Sequence, residues 1–270
     1  MEIYYALFFI FGLCIGSFCN VLIYRMPLGK SINFPASHCP SCKHKLKFYH
    51  NIPLISWMFL RGKCAFCKQN ISFIYPSVEL VSALLGMAGL FVAGDLISGA
   101  VLGLCFIMLF TLSVIDFKHH AVPESLLLVV YFLAIFSQID GEIRLDEISL
   151  FHSSLVVSFI FAGAITIVKS ITSAWINRHN KGEILEAMGD ADTIIIASIG
   201  AILGIKLGIF AVFLAGILQI ILHIILRIIS RKNHEAPFIP ALSLSLLIVL
   251  LFQNQALELF ELYFKFIGLK

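Results

Sequence analysis

The chain has 270 residues, 60% of them hydrophobic and 13% charged, with a formal net charge of +3 and a mean hydropathy of +0.98. A soluble protein of that length needs far more polar surface, so the composition describes an all-α polytopic membrane protein embedded in a lipid bilayer. The small charge, with no basic stripe interleaved with aromatic residues, excludes a nucleic-acid surface.

A helix needs about 20 apolar residues to cross a bilayer. On that rule the sequence predicts spans at roughly 3–23, 77–94, 97–115, 124–139, 148–169, 192–204, 206–229 and 238–254, about eight transmembrane helices. The sixth is short. The seam Gly204-Ile205-Lys206 keeps open a seven-span chain with one long bent helix. The first run has no basic leader or small-residue cleavage site and reads as a retained span. Residues 257–270 read as a tail, its Phe and Tyr beside Glu and Lys suited to a membrane interface.

With the N-terminus outside, one side receives segments 24–76, 116–123, 170–191 and 230–237. With their flanks these hold every Lys and Arg except Arg144, Lys206, Lys265 and Lys270. The positive-inside bias therefore puts them at the cytoplasmic face.

Loop 24–76 contains Cys39-Pro-Ser-Cys42 and Cys64-Ala-Phe-Cys67, two CxxC pairs separated by 21 residues. Four thiolates at this spacing can surround one tetrahedral zinc. A redox CxxC needs no second pair, and a reducing cytoplasm disfavours disulfides. A closed ligand set makes this zinc structural. Cys14, Cys19 and Cys105 lie in apolar runs and read as packing residues.

Asp116 closes the run 102–115 and Asp192 opens the run 193–203. Ionisable groups this close to hydrocarbon are expensive and mark functional sites. Two carboxyls at one depth suit an acid–base pair that activates water.

These motifs together resemble the bifunctional type IV prepilin peptidase family. The resemblance runs in order through Gly16-Ser-Phe-Cys-Asn-Val-Leu-Ile-Tyr-Arg25, the four-cysteine loop, Asn51-Ile-Pro-Leu-Ile-Ser-Trp57 and Leu60-Arg-Gly-Lys-Cys64. It continues through Tyr75-Pro76, Glu79-Leu80, Ile115-Asp116, Val122-Pro-Glu124 and Ala236-Pro-Phe238. The family's second aspartate lies in Gly-x-Gly-Asp; here the stretch is Glu186-Ala-Met-Gly-Asp-Ala-Asp192. Asp190 and Asp192 compete for that slot. Asp192 matches Glu186, Met188 and Gly189 and aligns Gly200 and Gly204, leaving Ala191 for a glycine and Ile194 for a lysine.

The resemblance implies cleavage of type IV prepilin or pseudopilin precursors at the bacterial inner membrane. It also implies methylation of the new N-terminal amine with S-adenosylmethionine. It places the methyltransferase in 1–95, the peptidase bundle in 96–256 and a tail in 257–270. No glycine-rich fingerprint locates the methyl donor. Asn51, Arg61 and Glu79 are candidates, with Gly16, Asn20 and Arg25 behind them. Competing readings are a peptidase alone, an ion-coupled transporter using Asp116 and Asp192, and a zinc scaffold without chemistry.

Overall fold

The structure, a computed structural model, describes residues 2–137, 153–178, 186–229 and 236–266. Its long helices follow the apolar runs. They are α1 (Glu2–Arg25), α3 (Ile74–Ala93), α4 (Leu96–His119), α5 (Glu124–Phe136), α6 (Ser154–Asn177), α7 (Asp190–Ile229), α8 (Ile239–Leu251) and α9 (Gln253–Phe266). A short α2 (Ile55–Phe59) lies in the polar loop between α1 and α3. Among the described residues the β pairing is confined to two isolated bridges in that loop.

By length and composition, α1, α3, α4, α6 and α7 can each cross a membrane. A sixth crossing results if α8 and the start of α9, bent by 95°, form one broken span. Their outward faces are apolar, as hydrocarbon requires: Phe11, Phe91 and Phe213 are 64%, 65% and 68% exposed. The runs expected at 192–204 and 206–229 lie in one element, α7, interrupted at Gly204. There φ is 71° and ψ is −174°, a region entered essentially by glycine alone. Helices α4 and α6 run past the expected ends to His119 and Asn177, because polar side chains at a helix end can reach back to water. The acidic turn Asp140–Glu147 lies outside the described residues.

Two compact units divide the chain, Met1–Pro123 and Glu124–Lys270. The packing division thus falls after α4. In the first unit, glycines let backbones touch. A Cβ on Gly12 would lie 2.6 Å from the Ala83 Cα, and one on Gly16 would lie 2.8 Å from the Glu79 Cα. Gly103 of α4 meets Gly86 of α3, where an added Cβ would sit 3.0 Å from a backbone oxygen. Small residues at such crossings give membrane helices the close van der Waals contact that replaces a hydrophobic drive. Gly103→Leu should therefore pry α3 from α4 and cost about 1–3 kcal/mol, read as a lower midpoint in detergent unfolding.

In the second unit an aromatic ring joins α6 to α7. Phe161 of α6 fits against Gly200 and Gly208 of α7, each of which would place a Cβ 2.6 Å from it. The Tyr131 hydroxyl hydrogen-bonds Ser158 at 2.9 Å, joining α5 to α6. Gln219 of α7 donates to the Ala236 carbonyl at 2.6 Å and so holds the segment entering α8.

Candidate active site and metal centre

The two cysteine pairs form two copies of one turn. His38 bridges Lys45 and Lys63 bridges Asn70, the same offset around each pair. Lys43 and Lys68, each directly after a second cysteine, have φ of 59° and 58°. That repeat brings the sulfurs of Cys39, Cys42, Cys64 and Cys67 all within 4.8 Å of one another. Cys39 and Cys67 sulfurs are 3.8 Å apart, matching the roughly 3.8 Å edge of a tetrahedron with Zn–S near 2.3 Å. Cys39 is pulled down to about 6 by a backbone N–H from Cys42, against burial. Cys67 goes up to about 11: a Gln69 N–H lowers it, but burial and the three other thiols outweigh that. Four thiols this crowded cannot all ionise without a cation among them. His44 stacks on Phe66 with ring centroids 3.7 Å apart.

The loop returns to the helices through two side chains. Arg25, at the end of α1, is 8% exposed. Its guanidinium donates to the carbonyls of Ser31, Ile32 and Pro35 at 3.1, 3.3 and 2.7 Å. Glu79, two turns into α3, is 9% exposed and accepts the Leu54 N–H at 2.8 Å. Leu54 has φ of 56° and ψ of −50°, and the Ile55 N–H bonds the Pro53 carbonyl, a strained γ-turn. Trp57 rests on Gly62, whose added Cβ would lie 2.9 Å from the indole. Arg61 and Gly62 make the turn that seats it, with φ of 52° and 67°.

These contacts enclose a cavity of about 460 Å³, lined by Asn20, Tyr24, Arg25, His50, Asn51, Trp57 and Glu79 among others. The buried Nδ1 of His50 has no hydrogen-bond partner. Of the three sequence candidates for the methyl donor, Asn51 and Glu79 line this cavity; Arg61 is exposed and off its wall.

Asp116 is in the last turn of α4, in the first unit, and is 9% exposed. The helix closes behind it as the His120 N–H bonds the Asp116 carbonyl at 2.9 Å. Asp192 is in the first turn of α7, in the second unit, and is half-buried. Asp190 differs: its side chain is 91% exposed and is held by Lys169 at 2.6 Å. The same ammonium holds Glu186 at 3.0 Å.

Comparison with known proteins bears on the whole of this arrangement. Residues 10–92 match the family described as Bacterial Peptidase A24 N-terminal domain, and 103–224 match the Type IV leader peptidase family. A prepilin leader peptidase/N-methyltransferase of Vibrio cholerae is 32% identical over 213 residues, 76% of this chain and 79% of the relative. The chain belongs to the type IV prepilin leader peptidase/N-methyltransferase family. A Klebsiella pneumoniae relative of that name is 34% identical over 206 residues, 73% of this chain and 83% of its own. One from Myxococcus xanthus is 46% identical over 121 residues, covering 44% of this chain and 35% of the relative. No solved structure matches.

Two features of this family member escaped the motif reading. The turn repeat was visible as Cys-x-x-Cys-Lys occurring twice, at 39–43 and 64–68. Lys169 had no local signal: it sits on α6, 21 residues before the aspartate it holds.

Proposed function

We propose that this chain removes the leader of type IV prepilin-like precursors with Asp116 and Asp192, and then methylates the exposed N-terminus. The single observation carrying the peptidase assignment is the burial of Asp116 at the boundary of a membrane helix. A carboxyl so placed is functional far more readily than structural. In the mechanism the two carboxyls share one proton. One accepts a proton from water as it attacks the scissile carbonyl; the other, protonated, donates to the carbonyl oxygen. The dyad titrates as a unit, so neither residue has a fixed title. The half-burial of Asp192, against the exposure and ion pair of Asp190, supports the Asp192 register.

The lysine and arginine distribution supports a cytoplasmic site for both carboxyls and for the cysteine loop. Gly204 supports counting α7 as two passes, which with the bent α8–α9 pair as one span and the short apolar α5 as another makes eight. At 1.5 Å per residue an unbroken 40-residue helix would run about 60 Å, twice the hydrocarbon thickness. Zinc in the four-cysteine cluster holds the loop, the methyltransferase part occupies residues 1–95 and the peptidase bundle 96–256.

The methyl donor, S-adenosylmethionine, fits the first unit's cavity, where Asn51 and Glu79 reach the wall. When bound, it would supply an electrophilic methyl for the pilin amine, and Asn51 and Glu79 are residues of the wall that would hold it. The chain's task is to hold the donor and keep water off it.

Purified protein given prepilin and methyl-labelled S-adenosylmethionine should yield a shortened product carrying label. Cleavage without label would reduce the function to a peptidase. No cleavage would leave the transporter reading standing.

A further inference from the structure

We propose that Glu79 is the counter-ion for the positive sulfur of the methyl donor, so that the cavity selects the charged donor over its spent, neutral product. This rests on the methyltransferase reading above and deepens it.

Three observations carry the assignment. Glu79 is 9% exposed and lines a cavity of about 460 Å³, within the size that holds a drug-sized ligand. Among the described residues Glu79 forms no ion pair, and its hydrogen bonds are with neutral groups, the Leu54 N–H at 2.8 Å and the Ser17 side chain. Arg25, the guanidinium on the same wall, makes its three hydrogen bonds to the backbone carbonyls of Ser31, Ile32 and Pro35 and none to Glu79. A carboxylate taken this far from water keeps its charge best beside a cation, and among the described residues no Lys, Arg or His nitrogen lies within 4.0 Å of it. Trp57 and Tyr75 also line the cavity, and aromatic rings attract a soft cation.

Position decides which cation. Glu79 lies in the second turn of α3, at the end of the cavity that faces the helices, while Cys39 and Cys64 line the end in the loop. The amine to be methylated tops an apolar helix in the bilayer, so the transferable methyl must be presented at the helix end. That end is where Glu79 sits. Its γ-turn partner Leu54 fixes the carboxylate through the 2.8 Å bond, and the turn's strain is of the kind that persists where surrounding structure over-determines it.

The test measures binding, not turnover. Equilibrium dialysis of the purified protein should give S-adenosylmethionine about tenfold tighter binding than S-adenosylhomocysteine, the lower end of what close charge pairs contribute. Glu79→Gln should erase that preference while holding metal content and melting midpoint; Glu79→Asp should keep it. In wild type, S-adenosylmethionine should also protect Glu79 from a hydrophobic carbodiimide, read by mass spectrometry, a measurement that needs no variant to fold. Equal affinity for the two ligands, a preference that survives Glu79→Gln, or unprotected Glu79 would overturn the proposal. Protection by a mature pilin N-terminal peptide instead would assign the carboxylate to the acceptor, and would overturn it too. Binding of neither ligand would fell the methyl-donor reading itself.

Discussion

Asp116→Asn and Asp192→Asn should each slow leader cleavage by on the order of 10²–10⁴-fold, the range for removing a positioned acid or base. Asparagine keeps the shape of the side chain but cannot carry the shared proton. Since the two carboxyls act as one unit, the double variant should be little worse than either single. Asp190→Asn is the contrasting case. Its carboxylate is 91% exposed and engaged by Lys169, so its loss removes only a solvent-screened surface ion pair. Cleavage by that variant should stay within a few-fold of wild type. A gel-shift assay with a prepilin substrate reads all four. Should Asp190→Asn be inactive and Asp192→Asn active, the register shifts by two residues; two active single variants would remove carboxyl chemistry altogether.

What could be read from the sequence tracks how local each determinant is. The metal ligands were legible because Cys-x-x-Cys fixes two sulfurs by covalent reach, and two such pairs in one loop leave few alternatives. The break in α7 was legible as a seam at Gly204, since glycine and a following lysine interrupt an otherwise apolar run. Crossings such as Gly86 on Gly103 were not, because a small residue announces close packing only once its partner helix is known. The cavity was not legible at all. It exists because Arg25 gathers carbonyls six to ten residues away and Glu79 holds an N–H 25 residues back in the chain. Motif matching picked out Arg61 beside Glu79, with Arg25 behind them. Arg25 instead ties the loop and Arg61 seats a tryptophan's turn.

Stripping the metal should collapse the loop while leaving the helices. From residue 29 to 73 the buried residues are Cys39, Gly62 and Cys64, whereas Phe34, Phe48 and Phe59 are 78%, 84% and 85% exposed. Two thiols and a glycine are no hydrophobic core, so the loop's order must come from what joins the sulfurs. Structural zinc at such sites contributes about 10–16 kcal/mol of apparent binding energy at neutral pH, far above what the loop's few backbone bonds supply. One zinc per chain should be found by elemental analysis. A strong chelator should make four thiols alkylatable together and open 29–73 to protease, with helical circular dichroism nearly unchanged. Cys39→Ser should do the same without chelator. Cys14→Ser, on the exposed face of α1, should do neither. If the loop resists protease with all four cysteines reduced and no metal bound, its stability has another source and the zinc assignment fails. If instead chelation releases the loop and also abolishes binding of S-adenosylmethionine, the cluster and the cavity are one folding unit. The geometry leads us to expect this second outcome, because Cys39 and Cys64 form part of the cavity wall that Glu79 closes from the other end.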